Sequence, residues 1–124
     1  MIGEIRKTFL PFYDTNNHKM SVKCRPALVI AQSDNDDYVV LPVSRITRQA
    51  NRDMNYDIPV NPQLYPALGL SCFSYVRTHK QTTVHMGEVG DKIGDMKADY
   101  EDLYLFILEK REEFSTEITR QAID

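Results

Sequence analysis

The sequence of 124 residues has no long hydrophobic run and only two cysteines. No apolar stretch approaches the roughly 20 residues that a membrane-spanning helix needs, and residues 1–6 lack the apolar segment of a signal peptide. Cys24 and Cys72 are far apart in the sequence, and no Cys/His pair has the spacing of a zinc site. These absences favour a cytoplasmic protein with free thiols and no membrane segment, and we expect neither a metal nor another cofactor.

An excess of positive charge is also absent, because the net charge is −3. This argues against a protein that coats nucleic acids through a broad basic surface. The basic residues are nevertheless concentrated in the first two thirds of the chain, whereas the acidic residues gather near its end. The distribution predicts a basic face that binds an anion locally. No acidic pair has the spacing of a metal-bridging site, which disfavours a two-metal nuclease.

Short apolar runs that are separated by turns predict a mainly β fold in a single domain over residues 1–124. Strands are expected near residues 2–9, 22–31, 38–43, 57–60, 71–77 and 82–86, with Ile5 and Phe9 facing inward. Residues 44–56 form a long polar loop. Asp99 as an N-cap and the apolar spacing from Leu103 to Phe114 predict a helix from about residue 100. We therefore predict a small closed barrel over about residues 1–97, with a C-terminal helix over about 99–120.

The dipeptide Arg25-Pro26 stands at the start of the apolar run 27–30. Proline fixes its own φ and biases the preceding residue towards an extended conformation. The guanidinium of Arg25 is therefore held by a stiff backbone at the mouth of a buried strand. A charged entrance to the strand would explain these residues equally well.

Three groups of basic and hydroxyl residues lie at the ends of predicted strands: Lys23 and Arg25; Ser44, Arg45 and Thr47; and Arg77, Thr78, His79 and Lys80. A barrel could bring all three groups to one rim. Arginine matches phosphate oxygens, hydroxyls donate to them, and histidine transfers protons near neutral pH. The set suits RNA cleavage by attack of the 2′-OH on the adjacent phosphorus. Plainer interpretations are a turn residue at Ser44 and a solvated pair at His79-Lys80. Arg45, Arg48 and Arg52 could likewise belong to a merely soluble loop, or could form salt bridges with Asp53 and Asp57.

Several segments resemble the PemK/MazF-type toxins of bacterial type II toxin–antitoxin systems. They are Gly3–Ile5, Lys23–Ile30, Val40–Ser44, and Ser74–Val76 with the continuation to Gly94. The resemblance implies an SH3-like β-barrel with a C-terminal α-helix. It also implies a homodimeric, metal-independent endoribonuclease that cuts single-stranded RNA, including mRNA, and that a small cognate antitoxin silences.

The resemblance also implies roles for individual residues. Arg25 would stabilise the transition state and donate a proton, and Ser44 takes the place of the family's catalytic threonine. The Asp-Gln pair of many members appears here as His79-Lys80, which leaves open a replaced acid, a changed substrate contact or lost activity. We predict Arg25, Ser44 and His79 as catalytic residues. The predicted RNA-binding residues are Lys23, Arg45, Thr47, Arg48, Arg77, Thr78, Lys80 and His18.

One alternative function remains open at the level of the sequence. The same barrel can serve as a binding module that does not cut RNA, as in topoisomerase-inhibiting toxins that share the fold. Cleavage of purified RNA would separate the two functions.

Overall fold

A computed structural model of the chain describes residues 1–124 and shows seven β-strands followed by two helices. The strands are β1 (Glu4–Asp14), β2 (Lys19–Ser33), β3 (Asp37–Ser44), β4 (Asp57–Val60), β5 (Ser74–Arg77), β6 (Thr82–His85) and β7 (Val89–Asp95). The helices are α1 (Met96–Asp99) and α2 (Glu101–Ile123). Short 3₁₀ turns lie at Gln49–Asn51, Pro66–Leu68 and Met86–Glu88. The predicted mainly β fold with a C-terminal helix is confirmed.

The strands form one antiparallel sheet in the order β4-β5-β3-β2-β1-β7, with β6 paired to β3. The sheet curls into a half-barrel. Its edge strands β4 and β7 do not pair with each other, so the predicted barrel is not closed by hydrogen bonds. The position of β4 at an edge agrees with Pro59, which cannot donate to a neighbouring strand.

The ladder between β2 and β3 ends where Ala27 faces Pro42. Proline has no N–H for a ladder hydrogen bond, so pairing stops there. Beyond this point β3 pairs with β5 through Val43 and Ser44, while β2 continues its pairing with β1 to the hairpin turn. The two strands therefore part just before Ala27. This opening separates Arg25 on β2 from Ser44 on β3.

The core lies on both faces of the sheet, because side chains alternate along β2 and β3. Leu28 and Leu41 belong to the larger cluster, which also includes Tyr104 and Ile107 of α2. Val29 and Val40 belong to a smaller cluster on the other face, with Leu10, Ala27 and Val84. The middle of β3 is therefore buried on both faces, with Leu41 in the larger cluster and Val40 in the smaller one.

Two details of the sequence-based prediction are wrong. Ile5 is buried, but Phe9 is 51% exposed. The register of β1 against β7 shifts between Ile5 and Thr8, and beyond this irregularity the alternation buries Thr8 and Leu10 instead of Phe9. Asp99 caps no helix: α2 begins after Tyr100, and the carboxylate of Asp95 accepts the N–H of Ala98 to cap α1. The long helix also extends to Ile123, beyond the predicted end.

Strand β7 is absent from the predicted set because its glycines, Gly90 and Gly94, are residues typical of turns. Gly94 is instead required by a close approach, since a Cβ there would lie 2.7 Å from the backbone of Leu68. None of the helices combines the length and the apolar character that crossing a membrane would require.

Candidate active site

A groove of about 520 Å³ opens beside the point where β2 and β3 part. Its polar lining includes Arg25, Ser44, Arg77, His79 and Lys80, and residues 10–13 of β1 form one wall. No carboxylate lines this first groove. Each of the three groups that the sequence predicts at one rim therefore contributes at least one side chain here. The order of the strands brings them together, because β3 lies between β5 and β2.

Arg25 and Ser44 are held across the opening by the register of the sheet. If the pairing of Ala27 with Pro42 were continued by two residues, Ser44 would face Arg25. The guanidinium of Arg25 is half-buried and makes no hydrogen bond or ion pair, and the hydroxyl of the nearly buried Ser44 is also unbonded. Both groups are free to donate to an anionic oxygen in the groove.

Arg77 is a cation of a different kind, because a buried carboxylate fixes it. Its Nε donates to Oδ1 of Asp57 at 3.0 Å, and its Nη2 donates to Oδ2 at 3.4 Å. Asp57 is only 1% exposed and also accepts the N–H of Asp53 at 2.8 Å. Paired in this two-pronged way, Arg77 is rigid and its charge is largely neutralised.

His79 lies between aromatic rings that shield it from water. The centroids of Tyr56 and Phe114 are 6.1 and 5.9 Å from the imidazole centroid. The Nδ1 atom is buried without a hydrogen bond, and it lies 3.8 Å from Oδ1 of Asp57.

The electrostatic setting of His79 keeps the ring neutral at neutral pH. Burial lowers the pKa of His79 below its usual value, and the charges of Arg77 and Lys80 act in the same direction. Asp57 and Asp53 raise the pKa, but less than burial and the two cations together lower it. A neutral imidazole that lines the groove is able to accept a proton from a bound substrate.

The remaining predicted residues occupy different places. Lys80 is exposed and unpaired in the first groove, whereas Lys23 and Arg45 line a second, adjacent groove. Thr47 and Arg48 are exposed in the loop after β3 and line neither groove. His18 is exposed at the tip of the β1–β2 hairpin, where its φ is 53°.

Thr78 requires a correction. It is fully buried, and its hydroxyl donates to the carbonyl of Tyr56 at 2.6 Å. The prediction of an RNA contact for Thr78 is therefore wrong, and the residue fixes the backbone beside His79 instead.

Three residues of the site were not identified from the sequence: Asp57, Tyr56 and Phe114. Asp57 was considered only as a partner of the basic loop, although it pairs with Arg77 across the β4–β5 ladder. Phe114 comes from the helix, 35 residues after His79 in the sequence. No group of three or more His, Cys, Asp or Glu side chains is arranged to hold a metal ion.

Comparison with known proteins identifies the fold. No protein-family model and no curated protein sequence matches the chain. Among solved structures, the Mycobacterium tuberculosis toxin MazF-mt6 matches with a TM-score of 0.63 and 19% sequence identity, over 91% of this chain and 96% of that chain. The likeness shows that the two chains share a fold, which confirms the architecture that the sequence resemblance implies.

Proposed function

We propose that this protein is a toxin endoribonuclease that cleaves single-stranded RNA in the first groove. The observation that carries the proposal is the convergence of a free guanidinium, a free hydroxyl and a neutral imidazole in a groove without carboxylates. The fold that the chain shares with the toxin MazF-mt6 supports the same function. The sequence resemblance to PemK/MazF-type toxins further supports it, because Arg25 and Ser44 occupy the positions of that family's catalytic arginine and threonine.

The proposed reaction is an attack of a ribose 2′-oxygen on the adjacent phosphorus. The imidazole of His79 takes the proton of the 2′-OH, and a bond forms between the 2′-oxygen and phosphorus. The guanidinium of Arg25 and the hydroxyl of Ser44 donate hydrogen bonds to the equatorial oxygens, where negative charge develops. The P–O5′ bond then breaks with its electron pair on O5′, which takes a proton from Arg25 as solvent reprotonates the arginine. His79 releases the proton of the 2′-OH to solvent, which restores the neutral imidazole. The products are a 2′,3′-cyclic phosphate and a 5′-OH.

Arg77 and Asp57 position the reacting groups in this mechanism. Asp57 fixes Arg77 by two hydrogen bonds. Its carboxylate also lies 3.8 Å from Nδ1 of His79, where its charge stabilises the imidazolium that forms. Lys80 is unpaired and supplies a cation for the phosphate backbone.

The same proposal covers the metal requirement, the antitoxin and the oligomeric state of the protein. Cleavage requires no metal ion, since an internal nucleophile and a side-chain base suffice for the chemistry. A cognate antitoxin, with an acidic segment that suits the basic grooves, covers the site and silences it in the cytoplasm. The active species is a homodimer.

The test uses purified protein and a long single-stranded RNA, with and without EDTA. We expect cleavage in both conditions, and a loss of about 10²–10³-fold in rate for Arg25→Ala and for Ser44→Ala, as for the removal of one donor to a developing oxyanion. Lys97→Ala, which removes an exposed unpaired cation outside both grooves, is the matched control and should cleave normally. Thermal melting checks that each variant folds.

Two outcomes would contradict the proposal. Intact RNA together with growth arrest in cells would favour the binding module that the sequence left open. Unchanged cleavage by both variants would show that Arg25 and Ser44 are not the catalytic pair.

A further inference from the structure

A second groove of about 600 Å³ borders the first across strand β2. Four cationic side chains line it: Lys7, Lys23, Arg25 and Arg45. Its floor is partly apolar, with Pro26, Val43, Leu70 and Ile93, and no carboxylate lines it. The second groove is therefore a basic rim around an apolar floor.

The cations of the second groove have no partners in the protein. Lys7, Lys23, Arg25 and Arg45 make no side-chain hydrogen bond or ion pair, whereas six other basic side chains are paired with carboxylates: Arg6, Arg77, Lys92, Lys110, Arg111 and Arg120. Because like charges repel one another when they are brought together, a cluster of unpaired cations without carboxylates favours a bound polyanion.

Arg25 connects the two grooves. The alternation of β2 places Arg25 on the face of Ala27, towards the first groove, and Cys24 and Pro26 on the opposite face. Since β2 has no β3 partner before Ala27, its edge is open there and Arg25 borders both grooves. A chain that leaves the first groove at Arg25 enters the second.

We propose that the second groove binds the stretch of single-stranded RNA that flanks the bond cut in the first groove. Lys7, Lys23 and Arg45 contact successive phosphates, and the apolar floor lies beneath a ribose or base. The inference rests on the proposed function, because an endonuclease must hold nucleotides on both sides of the cut. The shared Arg25 favours RNA as the occupant, because a strand that is cut in the first groove has to continue past Arg25, whereas an acidic protein segment can cover the first groove without entering the second.

The first test measures binding of RNA that cannot be cleaved. A mixed-sequence 2′-O-methyl RNA of about 12 nucleotides, within the usual range of single-strand sites, lacks the attacking hydroxyl. We expect Lys7→Gln and Arg45→Gln each to weaken binding by about 3–10-fold at low salt and to reduce the slope of log K against log salt by about 0.7, the value for one lost phosphate contact. Lys97→Gln is the control and should bind normally. Unchanged affinity and slope in both groove variants would overturn the inference.

The second test needs no substitution, because the two cysteines line the second groove. Cys24 is exposed and Cys72 is half-buried, and both are free thiols. We expect saturating 2′-O-methyl RNA to slow the alkylation of Cys24 by iodoacetamide several-fold, as mass spectrometry of the labelled peptide would show. An alkylation rate that is unaffected by RNA would overturn the inference even if both variants misfold.

These measurements separate the inference from the proposed function. Wild-type protein that binds RNA through the second groove but leaves 2′-OH RNA intact would refute the cleavage and retain the RNA path. Wild-type protein that cleaves RNA while the groove variants bind normally would retain the function and refute the path. If the variants lose affinity for a poly-glutamate peptide but not for RNA, the second groove is a protein-docking site and the inference is overturned.

Discussion

His79 couples the stability of the protein to its chemistry. The pKa of His79 is lowered mainly because the imidazole is buried, with Tyr56 and Phe114 packed beside it, and the charge of Arg77 acts in the same direction. The resulting neutral ring is the form that a general base needs. The same burial opposes protonation of His79 in the folded state. The burial that keeps the base neutral therefore makes the folded protein less stable in acid.

Acid should therefore destabilise the fold through His79. The folded pKa is lowered from 6.5, so the unfolded chain binds a proton more readily as the pH falls below about 6.5. The contribution of His79 to the free energy of unfolding should be fully present above that pH and should be lost as the pH falls below it. Urea unfolding at pH 7.5, 6.5 and 5.5 should show this decline in the wild type and a weaker one in His79→Gln. Equal declines in the two proteins would contradict the assignment.

Asp57 shows why part of the site cannot be predicted from the sequence. Its partner Arg77 is twenty residues away along the chain, and only the antiparallel register of β4 and β5 brings the two together. The sequence offers nearer cations at Arg45, Arg48 and Arg52, which led to the wrong pairing. Arg25 was easier to identify, since Pro26 and the following apolar run act on the backbone locally.

Local patterns in the sequence predict most of the strands, but they do not predict the features that depend on packing between distant segments. The strands β2 and β3 can be predicted from their continuous apolar runs, which are typical of strands that are buried on both faces. Strand β7 contains two glycines, and Gly94 is explained only by the backbone of Leu68 behind it. Ser44 is likewise not a turn residue, because it pairs with Tyr75 in the β3–β5 ladder. This pairing is possible because the ladder between β3 and β2 ends at Pro42.

Helix α2 contributes to the site through Phe114. Its ring packs against Tyr56, with centroids 5.0 Å apart, and against His79 at 5.9 Å. Phe114→Ala should admit water to His79 and move its pKa back up towards 6.5, because burial is the main cause of the lowering. The acidic limb of the pH–rate profile should then shift to higher pH. We also expect a stability loss of about 1–3 kcal/mol, less than for a fully buried phenylalanine.

Phe106→Ala on the same helix is the matched control for this prediction. Phe106 is 44% exposed and packs beside Lys110 rather than near His79. Its substitution should leave the acidic limb of the pH–rate profile in place. A similar shift in both variants would mean that the helix acts through general stability and not through the shielding of His79.

The protein has a negative net charge, but the surface around its two grooves is positively charged. The net charge is −3, but the unpaired cations at Lys7, Lys23, Arg25, Arg45 and Lys80 gather at two grooves without carboxylates. The uneven charge distribution in the sequence indicated such a face, although only the fold shows that it is divided by β2. An anionic chain is therefore attracted locally while the rest of the surface repels it.

We predict that the protein is a homodimer. The β1–β2 hairpin exposes apolar side chains on one face: Phe9, Tyr13, Met20 and Val22 are 51, 57, 62 and 62% exposed. The register pairs Tyr13 with Met20 and Pro11 with Val22, so these side chains form a continuous strip. A strip without charges can pack against its own copy about a two-fold axis. Sedimentation at micromolar concentration should show a dimer, and Val22→Lys should shift it towards monomer.

Leu64→Lys provides the control for the interface, because Leu64 is 68% exposed but lies outside the hairpin. It should sediment as the wild type does. A wild-type protein that remains monomeric at micromolar concentration would refute the dimer. A dimer that tolerates Val22→Lys and separates with Leu64→Lys would place the interface elsewhere, because burying one lysine per subunit in an apolar contact costs several kcal/mol.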